Sequence, residues 1–443
     1  MARRRKVRKF STDPIPAQIE SLSHEGKGVA HIDGKATFIT GALPGEEVMI
    51  RLYNRHRNYD EAATVEVLKA SADRVEPKCQ HYELCGGCSL QHLSHDAQIT
   101  AKQALLVDGF KHLAKLEIPH LLEPITGDVW GYRRKARLGV RYVTKKGKVL
   151  VGFRERASSF ITELERCEVL HPAVGLKLPQ LAELVQSLSI YAQLPQIEVA
   201  IADNTTALVF RNLADVTEED KHKLMEFGRD NDMQIHLQPK GPKTVHCIWP
   251  EENGLIYYLP EYEVENHFRP TDFTQVNHSI NHQMVNKALE LLELGGEDRV
   301  LDLFCGLGNF TLPISRQAGT VVGVEGDLAL VERARENAIF NKADNVEYHV
   351  SDLTEDMLSA PWARGGFNKV LLDPPRSGAF EVLPLIAKLG PERIVYVSCN
   401  PATLARDAGE LVHQLGYRLV AAGIMDMFPH TGHVESIAIF EKK

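Results

Sequence analysis

Two residues near the carboxyl end of the chain have the types and settings that covalent chemistry needs. Cys399 follows the apolar run Ile394-Val-Tyr-Val-Ser398 and precedes Asn400-Pro401, which has the form of an N-cap and a proline in the first helical turn. A thiol at that point sits in the positive field of a helix amino terminus, an arrangement expected to favour the thiolate and so a nucleophile. A small apolar residue at a strand end would look the same in sequence. Glu435, in His430-Thr-Gly-His-Val-Glu-Ser436, starts the last strand-like segment and is a candidate base.

A ligand site is expected beside them. The segment Val300-Leu-Asp-Leu-Phe-Cys-Gly-Leu-Gly-Asn-Phe310 is a buried strand running into a glycine turn that opens a helix. Gly306 and Gly308 let backbone approach a ligand, and about twenty residues on Glu325 ends the next strand, where a carboxylate accepts ribose hydroxyls. A nicotinamide dinucleotide would prefer a third glycine where this chain has Thr311 and would need a free helix end for its pyrophosphate. S-adenosylmethionine carries no phosphate, so Thr311 favours the methyl donor. Asp352, after the third strand, is placed to meet an adenine amino group. The turn Asp373-Pro-Pro-Arg-Ser-Gly378 ends the fourth strand and strengthens this reading.

A third cluster concerns metal. The chain has 7 cysteines, an odd number, and Cys79, Cys85 and Cys88 fall together around the Gly86-Gly87 turn. That pattern suits soft-ligand binding better than a disulfide framework. Cys167 is a candidate fourth ligand, and four thiolates suit either structural zinc or an iron–sulfur cluster. Cys247 and Cys305 read as buried neutral thiols.

These groups need several domains to hold them. With 443 residues and 44% hydrophobic content, the chain exceeds one compact core. Residues 12–72 read as short alternating strands (Ala17 to Ser21, Lys35 to Ile39, Glu47 to Leu52, Ala62 to Val67) of a small β-barrel. The loop Arg51 to Tyr59 interleaves basic and aromatic side chains, as single-strand binders do. A helical stretch runs from about His95 to Leu116, and 95–124 is expected to pack on the last domain. Residues 73–94 and 125–268 read as a central α+β domain, mostly strands with one helix near Leu178 to Leu188. From 269 to 443 strand and helix alternate, with strands near Arg299 to Phe304, Thr320 to Glu325, Val346 to Val350, Lys369 to Asp373 and Arg393 to Ser398. This predicts a doubly wound, Rossmann-like α/β domain with its site at the carboxyl ends of the strands.

The net charge of −8 argues against a general nucleic-acid binder, but basic residues are concentrated. Residues 1–10 hold Arg3, Arg4, Arg5, Lys6, Arg8 and Lys9 without an acid. Between Gly131 and Arg156 basic residues (Arg133, Arg134, Lys135, Arg137, Arg141, Lys145, Lys146, Lys148, Arg154 and Arg156) face one acid, Glu155. Such blocks are expected to contact phosphate. No run of roughly 18 or more apolar residues exists, and Met1 to Phe10 is basic without the apolar stretch that a secretory signal requires, so the expected address is the cytoplasm, with no membrane and no stable protein partner.

Gln275, the Leu303-to-Phe310 turn, Asp373 to Gly378, Ser398-Cys-Asn-Pro401 and the Phe428-to-Ser436 stretch together resemble the uracil-5 RNA methyltransferase family. The resemblance covers essentially the whole chain. It implies a class I methyltransferase domain, Cys399 as nucleophile, Glu435 as base, and Gln275, Phe304, Asn309, Glu325, Asp352 and Asp373 lining the donor and base pockets. It further implies a 4Fe–4S cluster on Cys79, Cys85, Cys88 and Cys167, and identifies residues 12–72 as a TRAM domain, an OB-like β-barrel. Cytosine-5 RNA methyltransferases place a cysteine after the proline of the fourth motif, where this chain has Pro375 and Arg376. The barrel favours the members that modify 23S rRNA at one specific uridine over those acting on tRNA, while a dual-site rRNA enzyme also carries it. A non-catalytic iron–sulfur RNA-binding protein has no need to keep Cys399 and Glu435 with an intact donor turn.

Overall fold

The computed structural model describes residues 13–252, 254–353 and 360–443. The basic block at 1–10 lies outside them. The chain divides into two compact units, Met1–Lys102 with Phe428–His433, and Gln103–Met427 with Val434–Lys443. Residues 73–94, grouped by sequence with 125–268, fall in the first unit, and 125–268 in the second.

The first unit is built on strands β1 (Ile15–Gln18), β2 (Ser21–Leu22), β3 (Gly28–Ile32), β4 (Lys35–Thr40), β5 (Glu47–Arg55) and β6 (Tyr59–Lys69). Their order is β1-β5-β6-β4-β3-β2. Only Ile19 and Glu20 separate β1 from β2, which stand at opposite ends of that order, so the sheet must curl until its edges meet. Glu20 N–H donating to the Val29 carbonyl (2.8 Å) marks the closure. Ile19, Ile39, Val48, Ile50 and Ala62 fill the interior. Two details differ from the sequence reading. Strand β3 went unpredicted, and the segment Arg51 to Tyr59 is not a loop but the outer end of β5, a turn at 56–58 and the start of β6.

Helix α1 (His95–Gly109) begins in the first unit and runs into a π-turn at Phe110–Ala114. In the second unit the π-turn lies along the last long helix, where His413 Nε2 is 2.9 Å from the Ala114 carbonyl. Leu122 N–H and Ile125 N–H donate to the Ala422 and Ile424 carbonyls.

A six-stranded sheet of order β12-β11-β10-β9-β7-β8 follows. Its strands are β7 (Lys135–Val143), β8 (Lys148–Gly152), β9 (Gln196–Ile201), β10 (Thr206–Arg211), β11 (Met233–Gln238) and β12 (His246–Trp249), with α2 (Pro172–Gly175) and α3 (Leu178–Ser187) between β8 and β9. The expectation of a single helix here is corrected by α2 and by α4 (Glu218–Asn231). β10 and β11 pair in parallel, which requires a crossover, and α4 is that crossover. Thr217 Oγ1 accepts from Asp220 N–H at its start, and Glu218, Glu219 and Asp220 occupy its first turn. The hairpin β13 (Leu255–Leu259) and β14 (Val264–Phe268) completes this part.

The remaining elements are α5 (His278–Leu292), β15 (Arg299–Leu303), α6 (Thr311–Ser315), β16 (Thr320–Glu325), α7 (Leu328–Phe340), β17 (Val346–Val350), β18 (Lys369–Leu372), α8 (Leu383–Leu389), β19 (Arg393–Ser398), α9 (Pro401–His413), β20 (Tyr417–Met425) and β21 (Glu435–Lys442). The sheet order is β17-β16-β15-β18-β19-β21-β20, and β21 alone runs against the rest, antiparallel to both of its neighbours. Its central strands are mostly apolar because helices cover both faces, with Asp302 of β15 a buried exception. Asn337 and Asn341 of α7 each exchange two hydrogen bonds with the β14 backbone, at His267 and Glu265, tying the hairpin to this domain. Among the described residues no helix is long and apolar enough to cross a membrane.

Candidate active site

The catalytic candidates come together where β19 and β21 end. Ser398 and Ser436 form the last rung of the antiparallel β19–β21 ladder, so Cys399, just after β19, and Glu435, the first residue of β21, flank that rung at the same end, and the Glu435 carboxylate acts electrostatically on the Cys399 thiol. Asn400 caps α9 by accepting the Ala402 N–H (3.1 Å), which fixes the turn that presents Cys399. Asp373 follows β18, the neighbour of β19, and is electrostatically coupled to both Cys399 and Glu435.

The thiolate expectation is corrected. Burial pushes the Cys399 thiol up to about 11, and the Glu435 and Asp373 carboxylates add to the rise, while Arg376 opposes it. The helix end does not outweigh a half-buried site with two carboxylates. Burial likewise raises Glu435 to about 8, with Asp373 adding and Arg376 opposing, and raises Asp373 to about 7. The resting site therefore keeps its thiol protonated at neutral pH, and Arg376 is the nearby cation that favours ionisation. Sequence reading passed over Arg376, although its place inside Asp373-Pro-Pro-Arg-Ser-Gly378 was the available signal.

The donor side lies around the β15 turn. Phe304, Gly306 and Gly308 all have left-handed φ values, 64°, 55° and 92°. Phe304 N–H and Cys305 N–H both donate to the Val324 carbonyl, holding the turn against β16. A side-chain carbon at Gly306 would meet nothing within 4 Å, whereas one at Gly308 would lie 2.5 Å from Tyr348 Oη. The turn is thus open on one side and tightly backed on the other, as a ligand cradle requires. Glu325 accepts from Gly306 N–H (3.2 Å) through Oε2, and from Gly326 and Asp327 N–H through Oε1. Its carboxylate is fixed at the strand end.

Asn309 is held within the protein. Its amide exchanges two hydrogen bonds with Asn281 and accepts a third from Tyr257 Oη at 3.2 Å. Asp302, missed by sequence reading, is fully buried below the turn, accepts from Thr311 Oγ1 at 2.5 Å, and is raised to about 7 by burial and by Asp373 and Glu325 nearby. A carboxylate inside the apolar run Val300 to Phe304 was its signal. Cys305 is buried beside it, and its thiol is raised by that burial. Gln275 is half-buried just ahead of Asn277, the cap of α5, and Asp352 is exposed two residues past β17.

The other clusters are less assembled. Cys79, Cys85 and Cys88 lie in a run of turns in the first unit, where Cys79 N–H donates to Gln91 Oε1 (3.1 Å) and Gly87 N–H to Cys85 Sγ (3.4 Å). Cys167 belongs to the second unit. Among the described residues no three His, Cys, Asp or Glu side chains gather closely enough to hold a metal ion. Cys247 is half-buried, with its thiol 3.1 Å from the Trp249 carbonyl.

The 131–156 block is narrower than its composition suggested. Lys135 is lowered to about 8 by burial and donates to the Pro270 and Asp272 carbonyls. Arg134 pairs with Asp203, Arg137 with Glu198, and Lys146 and Lys148 with Glu163. Arg141, Lys145 and Arg154 remain as exposed cations for phosphate.

Comparison with known proteins gives the family. The tRNA (uracil-5-)-methyltransferase family profile matches residues 95–443, and the TRAM domain profile matches residues 13–65. A protein of Alkalilimnicola ehrlichii named 23S rRNA (uracil(1939)-C(5))-methyltransferase RlmD is 54% identical over 100% of this chain and 99% of its own length. One of the same name from Methylococcus capsulatus is 52% identical, covering 100% of each chain. The crystal structure of Pyrococcus abyssi tRNA (uracil-54, C5)-methyltransferase with S-adenosyl-L-homocysteine superposes with a TM-score of 0.74 over 96% of this chain and 99% of that one, at 24% identity, and shares the fold. With a match over most of its length and half its residues shared with full-length relatives, this chain belongs to the uracil-5 RNA methyltransferase family.

Proposed function

We propose that the protein methylates carbon 5 of uridine 1939 in 23S rRNA, the position named for its relatives, with S-adenosylmethionine as donor. The observation that carries this reading is the meeting of Cys399, Glu435 and Asp373 at one end of the sheet, where Cys399 and Glu435 flank the last β19–β21 rung and both carboxylates act on the thiol. Carbon 5 of uracil is a poor nucleophile. Cys399, once ionised, adds to carbon 6 and moves the electron pair of the 5,6 double bond into an enolate, which makes carbon 5 nucleophilic. S-adenosylmethionine supplies the electrophilic methyl group. Glu435 then takes the proton from carbon 5, the double bond re-forms, and the Cys399 thiolate is expelled. With its pKa raised to about 8 by burial, Glu435 holds a proton at neutral pH in the resting site and must release it before it can take the one from carbon 5.

Glu325 is suited to the donor ribose and Asp352 to its adenine, and Gln275, Phe304, Asn309 and Asp373 line the donor and base pockets. The uridine must leave its stack to reach Cys399. The barrel and the cations Arg141, Lys145 and Arg154 hold the flanking RNA. Cys79, Cys85, Cys88 and Cys167 are assigned a 4Fe–4S cluster. Its support is the four-thiol donor set, the close spacing of three of them and the amide hydrogen bond to Cys85 Sγ. It organises the RNA-binding part, and no catalytic step passes through it. Iron and acid-labile sulfide assays on anaerobically purified protein test it: about four of each per chain is expected, and zinc without sulfide would overturn it. The cytoplasm is the compartment where such an RNA substrate is made.

The test is incubation of the protein with labelled S-adenosylmethionine and unmethylated bacterial RNA, followed by mapping of 5-methyluridine. Label at the one 23S uridine, absent with Cys399→Ala, is expected. Label in tRNA or at two rRNA sites would overturn the target, and no label despite bound donor would overturn the activity.

A further inference from the structure

The acidic-proline loop holds Asp373 and Arg376 over the nucleophile, and something must set its height. Asp407, on the second turn of α9, is fully buried and touches none of the reacting positions. Its Oδ2 accepts from the Tyr396 hydroxyl (2.6 Å) and from the Ala379 N–H (2.8 Å). Arg406 Nε donates to its Oδ1 at 2.8 Å, and the same guanidinium donates to the Ser377 carbonyl at 2.8 Å. The Ala379 N–H also lies 3.0 Å from Tyr396 Oη. Nearer the active site, Asn400 Nδ2 donates to the Arg376 carbonyl at 3.1 Å and Thr403 Oγ1 does so at 3.4 Å.

A buried carboxylate is costly unless its oxygens are bonded; here one bond comes from Tyr396 of β19, one from Ala379 of the loop, and one from Arg406 of α9, whose guanidinium also reaches the loop at Ser377. The packing leaves no slack. Gly378 has φ 83°, and a side-chain carbon there would sit 2.6 Å from both Asp407 Oδ2 and Arg406 Nη2. Helix α9 thus begins at the nucleophile and, two turns on, grips the loop that carries Asp373 and Arg376. Resting on the methyl-transfer reading above, we propose that Asp407, acting through Tyr396 and the Ala379 N–H, is a positioning residue that fixes Arg376 and Asp373 relative to Cys399. It does not itself contact substrate.

The full-length protein with Tyr396→Phe, which removes one hydroxyl, and with Asp407→Asn, which removes the charge, tests this. The readouts are kcat and KM for RNA, donor affinity, and the pH profile of covalent adduct formation with RNA carrying 5-fluorouridine, whose carbon-5 fluorine cannot be abstracted as a proton. Misplacement by a fraction of an ångström is expected to lower kcat about tenfold or more in either variant. KM for RNA and donor affinity should stay within about twofold, and the rate profile should move to higher pH as Arg376 drifts from the thiol. Unchanged kcat, or donor affinity falling in step with kcat in Tyr396→Phe, would overturn the proposal. If Asp407→Asn does not fold, Tyr396→Phe decides alone. Wild-type protein run alongside separates the two readings: no wild-type methylation refutes the proposed activity and this inference with it, whereas active wild type with unchanged variants refutes only the inference.

Discussion

Cys399 and Glu435 flank the last rung of the β19–β21 ladder, the pair Ser398 and Ser436, and the Glu435 carboxylate acts electrostatically on the Cys399 thiol. Two groups at the same strand end can serve one bound base. The two groups act at different stages, addition and elimination, and the difference is measurable. Glu435→Gln keeps the shape but removes the base after the carbon–sulfur bond has formed. Turnover should fall by roughly 10²–10⁴, while a covalent RNA–protein adduct accumulates on a denaturing gel. Loss of turnover without adduct would assign Glu435 to an earlier step.

The same burial that raises Glu435 makes it a liability to the fold. Its folded pKa, about 8, lies above the ordinary 4.5, so between those values the folded chain holds a proton that the unfolded chain has released. Raising the pH through this window therefore favours unfolding, and above about pH 8 the full cost is present. Asp373 and Asp302, both raised to about 7 from 3.8, act in the same direction. Glu435→Gln should raise the melting temperature by roughly 2–4 °C at pH 8 and leave it nearly unchanged at pH 4. Calorimetry at both values checks the sign.

Arg376 should show itself in the pH dependence of addition. With the Cys399 thiol near 11, the rate of adduct formation on 5-fluorouridine RNA should climb with pH across the neutral range. Arg376 is the cation that restrains this rise. Arg376→Ala should move the profile to higher pH and slow addition at pH 8, by up to about tenfold if the profile moves by one pH unit, with partial recovery in Arg376→Lys. A profile that does not move would mean that Arg376 acts only on RNA.

At the donor turn the expected damage is steric. Gly308 combines φ 92° with an approach of 2.5 Å between a built side-chain carbon and Tyr348 Oη, an atom of a buried ring that cannot swing away. Gly308→Ala should weaken S-adenosylmethionine binding at least tenfold by calorimetric titration, about 1.4 kcal/mol. Gly306→Ala meets open space and should interfere only by entering the ligand's volume.

The methyltransferase sheet was legible because its strands are apolar runs separated by glycine and proline turns, and each predicted strand from Arg299 to Ser398 lies within a residue of its observed place. Helix α4 was hidden by Glu218-Glu-Asp-Lys-His-Lys, a polar stretch whose only sequence signals were the Thr217 cap and the acidic first turn. The ionisation of Cys399 could not be read from its helix end, because the opposing carboxylates come from β18 and β21, distant in sequence. Nor could composition reveal that Lys135 is buried or that Lys146 and Lys148 share Glu163, since ion pairs depend on which strands become neighbours.

The barrel's contribution can be dissected at the β5–β6 tip. Tyr53 is 46% exposed and Tyr59 36%, and His56 stacks on Tyr59 at 4.2 Å between ring centroids. Arg51 and Arg57 are exposed on the same hairpin. On the proposed RNA-binding reading Tyr53 would stack on a base and the two arginines would meet phosphate, and the two kinds of contact respond differently to salt. Tyr53→Ala should weaken RNA binding by about 1–3 kcal/mol at any ionic strength. Arg51→Ala and Arg57→Ala should each reduce the slope of log affinity against log salt by about 1. None should alter donor affinity, because the donor turn belongs to the other unit. Filter binding across a salt series separates the effects, and a Tyr53→Ala variant whose loss disappears at high salt would make its contact electrostatic.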